Sequence, residues 1–283
     1  LEKLSERIRW LKEKRPGYEE ILDFYLKVRE KQENTKASLR IGPILFHRDW
    51  KKASTEEGLP LLQRKDFPLD IEASFSLFQS LCQIGKDANP YMAEQVRNIE
   101  SAQESNKIDF REILRKEAGG QEWEQIGDEL GLDKKVLMLL IQNSIRPSIE
   151  AGMQQLLGEL NTEAWLKGYC PVCGSLPHLS LLKEEVGKRL LLCSFCSCEW
   201  RINRLFCPFC SNTEQGSIHY FYEEGEESYH IDLCEKCHQY VKTIDLRKIE
   251  GTDPWLEDLA TLHLDILASQ RGYKRPILNP WIM

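Results

Sequence analysis

Apolar residues recur at helical spacing along the first part of the chain. Tyr18, Ile21, Tyr25 and Val28 share one face, and Ile71, Phe75, Phe78 and Cys82 share another after the turn-like Phe67-Pro68. Asn89-Pro90 predicts a further helix to about Ser105, and Gly119-Gly120 and Gly131 punctuate the next ones. Asp133 reads as the N-cap of a helix from Lys134 to Arg146, after which Pro147 either kinks the helix or begins another. Ile149, Met153, Leu156, Leu157 and Leu160 carry an apolar face onward. Lys36 to Pro68 lacks this period, and Gly42-Pro43 and Gly58-Leu59-Pro60 mark it as a long, partly ordered connection.

Beyond a joint at Trp165 to Tyr169 the period shortens to two. Leu179 and Leu181 lead into the turn Lys183 to Lys188, and Leu190 and Leu192 return from it. Ile218, Tyr220 and Tyr222 alternate before Glu223 to Glu227, and Tyr229, Ile231 and Leu233 alternate after it. Each hairpin is followed by a third strand, Glu199 to Phe206 and Gln239 to Leu246, so the segment is an internal repeat. Thr252-Asp253-Pro254 then begins a helix to Ala268 with Trp255, Leu259, Leu262 and Ile266 on one face. A small module offers such a helix little to cover, so it is expected to pack on the helical domain or across the joint.

Cysteine placement changes the meaning of the hairpins. Eight of the ten cysteines form four C-x-x-C pairs: Cys170/Cys173, Cys193/Cys196, Cys207/Cys210 and Cys234/Cys237. Nineteen residues separate the first pair from the second and twenty-three the third from the fourth, with ten between the second and third. Two thiolates on one tight turn bind one ion together, and a hairpin that returns to the same point completes a tetrahedron. The spacing therefore predicts two consecutive metal sites, Cys170, Cys173, Cys193, Cys196 and Cys207, Cys210, Cys234, Cys237, rather than a crossed arrangement. The fold class is α+β: an all-helical domain at 1–164, rubredoxin-like or zinc-ribbon modules at 165–206 and 207–250, and a carboxy-terminal helix and tail at 251–283. Cys170-Pro-Val-Cys-Gly174 and Cys207-Pro-Phe-Cys210 resemble rubredoxin knuckles, which admits iron as well as zinc. Glycine suits the positive φ of such a turn, yet the residues after the second cysteines are Gly174, Ser197, Ser211 and His238, which weakens a redox reading.

The 283 residues suffice for about two domains. Lys and Arg number 38 against 45 Asp and Glu, a net charge of −7, so no global basic field draws nucleic acid or anionic lipid. From Gly168 to Glu250 there are nine Lys or Arg and twelve Asp or Glu, and each four-thiolate site on a divalent ion adds negative charge. That argues against a zinc-ribbon nucleic-acid binder, whose phosphate contacts need the opposite sign. No apolar run approaches a membrane span, and the start of the chain has no signal-peptide core, so the expectation is a soluble cytoplasmic protein with reduced thiols.

Cys198 is a ninth thiol beside a set already complete and reads as a spare surface or core thiol rather than a ligand, and Cys82 sits on an apolar stripe and reads as a packed small residue. His178, His219, His230 and His238 fall in the metal region but have no vacancy to fill. No phosphate-cradling loop, H-E-x-x-H motif or nucleophile constellation appears, and catalysis has no candidate residue. An iron-dependent electron carrier or a thiol oxidoreductase remains an alternative, although a metal-bound thiolate is not free to exchange.

Several motifs carry a resemblance. Trp165-x-x-Gly168-x-Cys-Pro-Val-Cys-Gly-Ser-x-Pro177, Leu192-Cys-Ser-x-Cys-x-x-Glu199-Trp200, Arg204-x-x-Cys-x-x-Cys210 and Leu233-Cys-x-x-Cys-x-x-Tyr240-x-Lys242 resemble the formate dehydrogenase accessory proteins of FdhE type. So do Glu257-Asp-Leu-Ala260, Leu264-Asp265 and Gly272-Tyr-x-Arg275-x-x-x-Asn279-Pro280. The amino-terminal half is similar more loosely, through Leu59-Pro-Leu-Leu62, Pro68, Asp70 and Arg146-Pro147, while Cys198 and Trp281 depart from the pattern. The resemblance implies a helical domain followed by two rubredoxin-like modules with iron as the ion. It also implies a non-catalytic cytoplasmic maturation factor that binds the catalytic molybdenum- or tungsten-containing subunit of a formate dehydrogenase. Two readings stand for Trp200, Arg201 and Arg204. One is a partner surface, because aromatic and arginine side chains are enriched among residues that dominate binding energy. The other is a structural role in which Trp200 caps the first module's small core and the arginines pair with Glu184 or Glu185.

Overall fold

The computed structural model describes residues 1–45, 57–159, 165–249, 251–279 and 281. The chain divides into two units, one comprising Leu1–Leu45, Gln63–Leu157 and Asn279–Met283, the other Phe46–Leu62 and Gly158–Leu278. Among the described residues no helix is long and apolar enough to cross a membrane.

The first unit is helical: α1 (Glu2–Lys14), α2 (Glu19–Lys36), α3 (Ile71–Lys86), α4 (Pro90–Glu104), α5 (Phe110–Gly119), α6 (Glu124–Leu130) and α7 (Lys134–Gln154). Local chemistry sets the ends. Carboxylate or amide oxygens of Asp70, Asn89, Asp109 and Asp133 accept first-turn N–H groups, and Gly120 and Gly131 close α5 and α6 at φ 70° and 64°. Leu22, Tyr25, Phe78, Leu81, Val96, Leu114, Leu137 and Ile141 are buried in the core, as are Ile149, Met153 and Leu156 of the last predicted stripe, whereas Leu157 of that stripe is exposed. Leu160, the last residue of the predicted apolar face, lies outside the described residues.

Pro147 neither ends nor restarts a helix; α7 continues through it. Proline has no N–H for the carbonyl four residues back, which here belongs to Asn143. Buried Gln32 on α2 supplies the missing donor, its Nε2 lying 2.8 Å from the Asn143 oxygen. Near the other end of the chain, Trp281 packs at 5.8 Å from Phe24 and 5.3 Å from Tyr25, so the tail contributes to this unit's core.

The second unit is built on one six-stranded sheet. Its strands are β1 (Pro177–Lys183), β2 (Lys188–Cys193), β3 (Glu199–Arg201), β4 (Ile218–Phe221), β5 (Tyr229–Cys234) and β6 (Gln239–Asp245), ordered β3-β2-β1-β6-β5-β4. Both predicted hairpins form, but they are halves of a single sheet, because β1 pairs in parallel with β6 through Ser180↔Thr243, Leu181↔Ile244 and Leu182↔Asp245. The third strand of the first hairpin stops at Arg201 instead of reaching Phe206. Tyr220 is exposed rather than inward-facing, and Phe221 meets the core instead.

This joint sheet corrects the expectation for the carboxy-terminal helix. It is two helices, α8 (Pro254–Leu259) and α9 (Leu262–Gln270), and they cover the sheet itself: Leu264 and Ala268 are buried with Leu179, Leu181, Ile231 and Ile244. Neither hairpin alone offers that area, but the pair does. The connection before Pro68 is likewise more ordered near its end than expected. The backbone N–H groups of Leu61 and Leu62 donate to the carbonyls of Pro171 and Val172 at 2.9 and 2.8 Å, and Tyr169 donates to the Gly58 carbonyl at 2.7 Å.

Candidate metal centres

Each C-x-x-C pair sits on the same backbone turn. The residue after the second cysteine has positive φ in all four, 74° at Gly174, 58° at Ser197, 59° at Ser211 and 54° at His238. Glycine is therefore not needed for this knuckle geometry, and its absence from three of the turns is no argument about the ion. The tight turn holds through backbone bonds: Gly174, Ser211 and His238 donate to the carbonyls of Cys170, Cys207 and Cys234, and Cys170, Cys193 and Cys207 donate to Ser175, Cys198 and Asn212.

The structure brings Cys170, Cys173, Cys193 and Cys196 together in one group and Cys207, Cys210, Cys234 and Cys237 in another, the consecutive arrangement that the spacing predicts. The shortest sulfur–sulfur distances are 3.4 to 3.6 Å in the first group and 3.6 to 3.7 Å in the second, and all four sulfurs of each lie within 4.8 Å of one another. A tetrahedron with metal–sulfur bonds of about 2.3 Å has edges of about 3.8 Å, so both sets fit a four-coordinate thiophilic ion. Val172 N–H points at the Cys170 sulfur, and Phe195 and Cys196 N–H at the Cys193 sulfur, each at 3.4 Å. Such donors stabilise thiolate charge.

Electrostatics make the same point. Burial pushes the Cys170, Cys193 and Cys196 thiols far above their usual value, while hydrogen bonds from Cys170, Cys193 and Cys196 pull Cys173 far down. Four thiolates in that space need a cation between them. In the second group burial raises Cys237 to about 11, whereas Cys234, also opposed by burial, is lowered to about 7 by the N–H groups of Cys237 and Lys236 and the Asn212 amide.

The two centres differ in access. All four cysteines of the first are buried, and Leu61, Leu62 and Pro60 lie along its Cys170–Gly174 knuckle. In the second, Cys210 is exposed and Cys237 half-buried. Gly168 joins the two regions closely: a Cβ there would stand 2.0 Å from the Pro208 carbonyl oxygen. Asn212, which periodicity does not mark, donates to the Cys234 sulfur at 3.6 Å.

Cys198 is buried, and Cys82 is buried with its thiol raised to about 12 by desolvation. None of the four histidines joins a cysteine group. His178 pairs with Asp258 at 2.8 Å and stacks on Trp255, His219 meets Glu235, His230 meets Asp232, and His238 lies against Tyr273. Trp200 is fully buried and donates its indole N–H to the Lys167 carbonyl at 2.9 Å, so it offers no surface to a partner. Arg201 and Arg204 are exposed and line a pocket of about 420 Å³.

Behind the sheet lies a buried charge network that sequence reasoning did not anticipate. Lys242 Nζ stands 2.8 Å from an Asp258 oxygen and 2.6 Å from an Asp265 oxygen, and Arg275 lies 3.1 Å from each of the same two carboxylates. Tyr240 donates to Asp265 at 2.8 Å. Two cations balance two anions, as buried charges require. The only signal was the recurrence of these residues in the motifs of the FdhE resemblance.

The comparisons match this architecture. The family model "FdhE, central domain" matches residues 169–204 and "FdhE, C-terminal domain" residues 205–282. A "Protein FdhE homolog" of Aquifex aeolicus is 29% identical over 94% of this chain and 90% of its own length. A homolog of Haemophilus ducreyi is 36% identical over 46% of this chain and 43% of its own length. "Protein FdhE" of Escherichia coli K12 is 34% identical over 40% of this chain and 37% of its own. The crystal structure of the FdhE protein from Pseudomonas aeruginosa superposes with a TM-score of 0.69 at 22% identity, covering 98% of this chain and 93% of that one, and shares its fold. A helical unit and two knuckle-bearing hairpins accompany matches to the FdhE central and C-terminal domains over residues 169–282, and the chain is similar to FdhE homologues along most of its length.

Proposed function

We propose that this chain is a cytoplasmic, non-catalytic accessory factor that binds the catalytic subunit of a formate dehydrogenase during its maturation and carries one metal ion in each cysteine set. The observation that carries the reading is the closure of both sets. Four sulfurs per centre leave no coordination position for a substrate, as in structural sites. When bound, such an ion supplies a cross-link between two knuckles that the small hairpins cannot provide by apolar packing alone. The client follows from the FdhE family, whose members serve formate dehydrogenases. The balance of acidic over basic residues around the knuckles opposes a nucleic-acid role.

The test is affinity capture of the tagged chain from its source cell. Recovery of the formate dehydrogenase catalytic subunit supports the reading; its absence under conditions where that enzyme is made refutes it. Formate oxidation by the purified chain alone would overturn the non-catalytic part. A second reading, iron-dependent electron transfer, is favoured by the exposure of Cys210 at the second centre. Absorbance separates iron from zinc, since ferric thiolate is coloured, and reversible bleaching on reduction would support electron transfer.

A further inference from the structure

The net charge of −7 hides one strongly cationic concavity. The pocket at the β1–β2 turn and the end of β3 is lined by Lys188, Arg189, Arg201 and Arg204, with Glu184 as its one carboxylate. Arg189 is committed to Asp232 at 3.0 Å, and Lys188 lies 3.5 Å from Glu184. Arg204 donates to the Val186 and Gly187 carbonyls and has no carboxylate partner among the described residues.

Two guanidinium heads converge at the Gly187 turn. Arg204 Nη2 and Arg247 Nη1 each stand 2.6 Å from the point where a Cβ on Gly187 would be, so they lie within about twice that distance of each other. Gly187 has φ 66°, and its missing side chain is what admits them. Arg247 is oriented by two bonds to Asp245, at 2.7 and 2.6 Å, which leave its Nη1 directed toward the turn. Asp245 offsets the Arg247 charge, so the cation at this turn without a carboxylate among the described residues is Arg204, which an incoming anion would balance.

The pocket is larger than one carboxylate requires, and it adjoins β3, the edge strand, along whose outer side no other strand pairs among the described residues. An extended segment can add to such an edge through its backbone while its alternate side chains enter the adjoining pocket. We infer that this pocket is a docking site for an extended acidic segment of a protein partner, whose Asp and Glu side chains sit between Arg204, Arg247, Lys188 and Arg201. The inference rests on the accessory-factor reading and adds the partner's chemistry: the segment of the client that engages this chain carries clustered carboxylates.

The direct test uses a fluorescein-labelled oligoglutamate peptide and the metal-loaded full chain, read by fluorescence anisotropy against ionic strength. Binding should weaken as salt rises, and hydrogen exchange should slow at 184–189 and 199–204 on addition of peptide. The double variant K188E/R201E, which leaves the Arg204 bonds to the turn intact, should lose affinity about tenfold or more with metal content and thermal midpoint unchanged. Absence of salt-dependent binding, or equal binding by the variant, overturns the site; so does displacement of the peptide by equimolar inorganic phosphate or single-stranded DNA, which would assign it to phosphate. Capture from the source cell separates the two readings. If the wild-type chain recovers the dehydrogenase subunit and the variant recovers it equally, the acidic-segment site fails and the accessory reading stands. If the wild-type chain recovers none, the accessory reading fails, and the peptide measurement still decides the site.

Discussion

Replacing Lys242 with methionine removes one cation from the buried network and leaves its shape nearly unchanged. Lys242 has no exposed surface, and its Nζ lies 2.8 and 2.6 Å from carboxylate oxygens of Asp258 and Asp265. It also donates to the Asp258 and Thr261 carbonyls at 2.9 and 3.1 Å. At an effective dielectric of about 20, each ion contact is worth roughly 6 kcal/mol before desolvation, most of which the loss of water offsets. Removing one partner does not recover that loss, because Asp265 and Asp258 stay buried with Arg275 and, at Asp258, His178 as their remaining partners, and such a change costs about 3–5 kcal/mol. For a chain of this size that is roughly 6–20 °C in thermal midpoint. Denaturant unfolding of metal-loaded protein should show the loss, and K242M/D265N should recover at least half of it. The asparagine removes the surplus charge and keeps an oxygen for Tyr240 and Arg275. A single-variant loss below about 1 kcal/mol, or losses that simply add in the double variant, would refute the charge-balance argument.

Three other outcomes are expected. C193S should lower bound metal by one ion and destabilise the sheet, since losing one ligand removes much of the binding energy that folds the hairpin; unchanged metal content and stability would count against it. G168A should cost about 3 kcal/mol and weaken metal retention at the second centre, because a Cβ there meets the Pro208 backbone rather than a yielding side chain; a neutral result in denaturant unfolding would contradict the close approach. Burial disfavours ionisation of Glu150, but Arg146, Arg29 and Lys36 outweigh it and hold the carboxyl below its ordinary value of 4.5. Its stabilising contribution should therefore be complete above that pH and disappear as pH falls through the lower folded value, so E150Q should be less stable than wild type at neutral pH and lose less on acidification.

The amino-acid sequence by itself determined what depends on neighbours along the chain. Asn89-Pro90 and Asp133 cap helices with groups a few residues from the N–H donors they satisfy, and the Asp70 side chain does the same for α3. Alternating Leu179, Leu181, Leu190 and Leu192 specify a hairpin, and the C-x-x-C spacing specifies which cysteines each hairpin can bring together. The cationic pair Arg201 and Arg204 was visible as residue type and position, whereas Trp200 was not separable from them: whether a side chain on a strand faces partner or core depends on what packs against it.

Tertiary structure alone decided the rest, because it pairs groups that local patterning cannot relate. Whether α7 survives Pro147 depends on Gln32, 111 residues from Asn143, presenting a donor to the freed carbonyl. Positive φ at Ser197, Ser211 and His238 is imposed by turns closed through backbone bonds, so residue type understated it. The parallel pairing of β1 with β6 converts two small modules into one sheet with a face large enough for α8 and α9, and that burial in turn places Lys242, Asp258, Asp265 and Arg275 in one network. Parallel pairing and charge balance are set between distant segments, where a sequence period of two or of 3.6 carries no information about the partner.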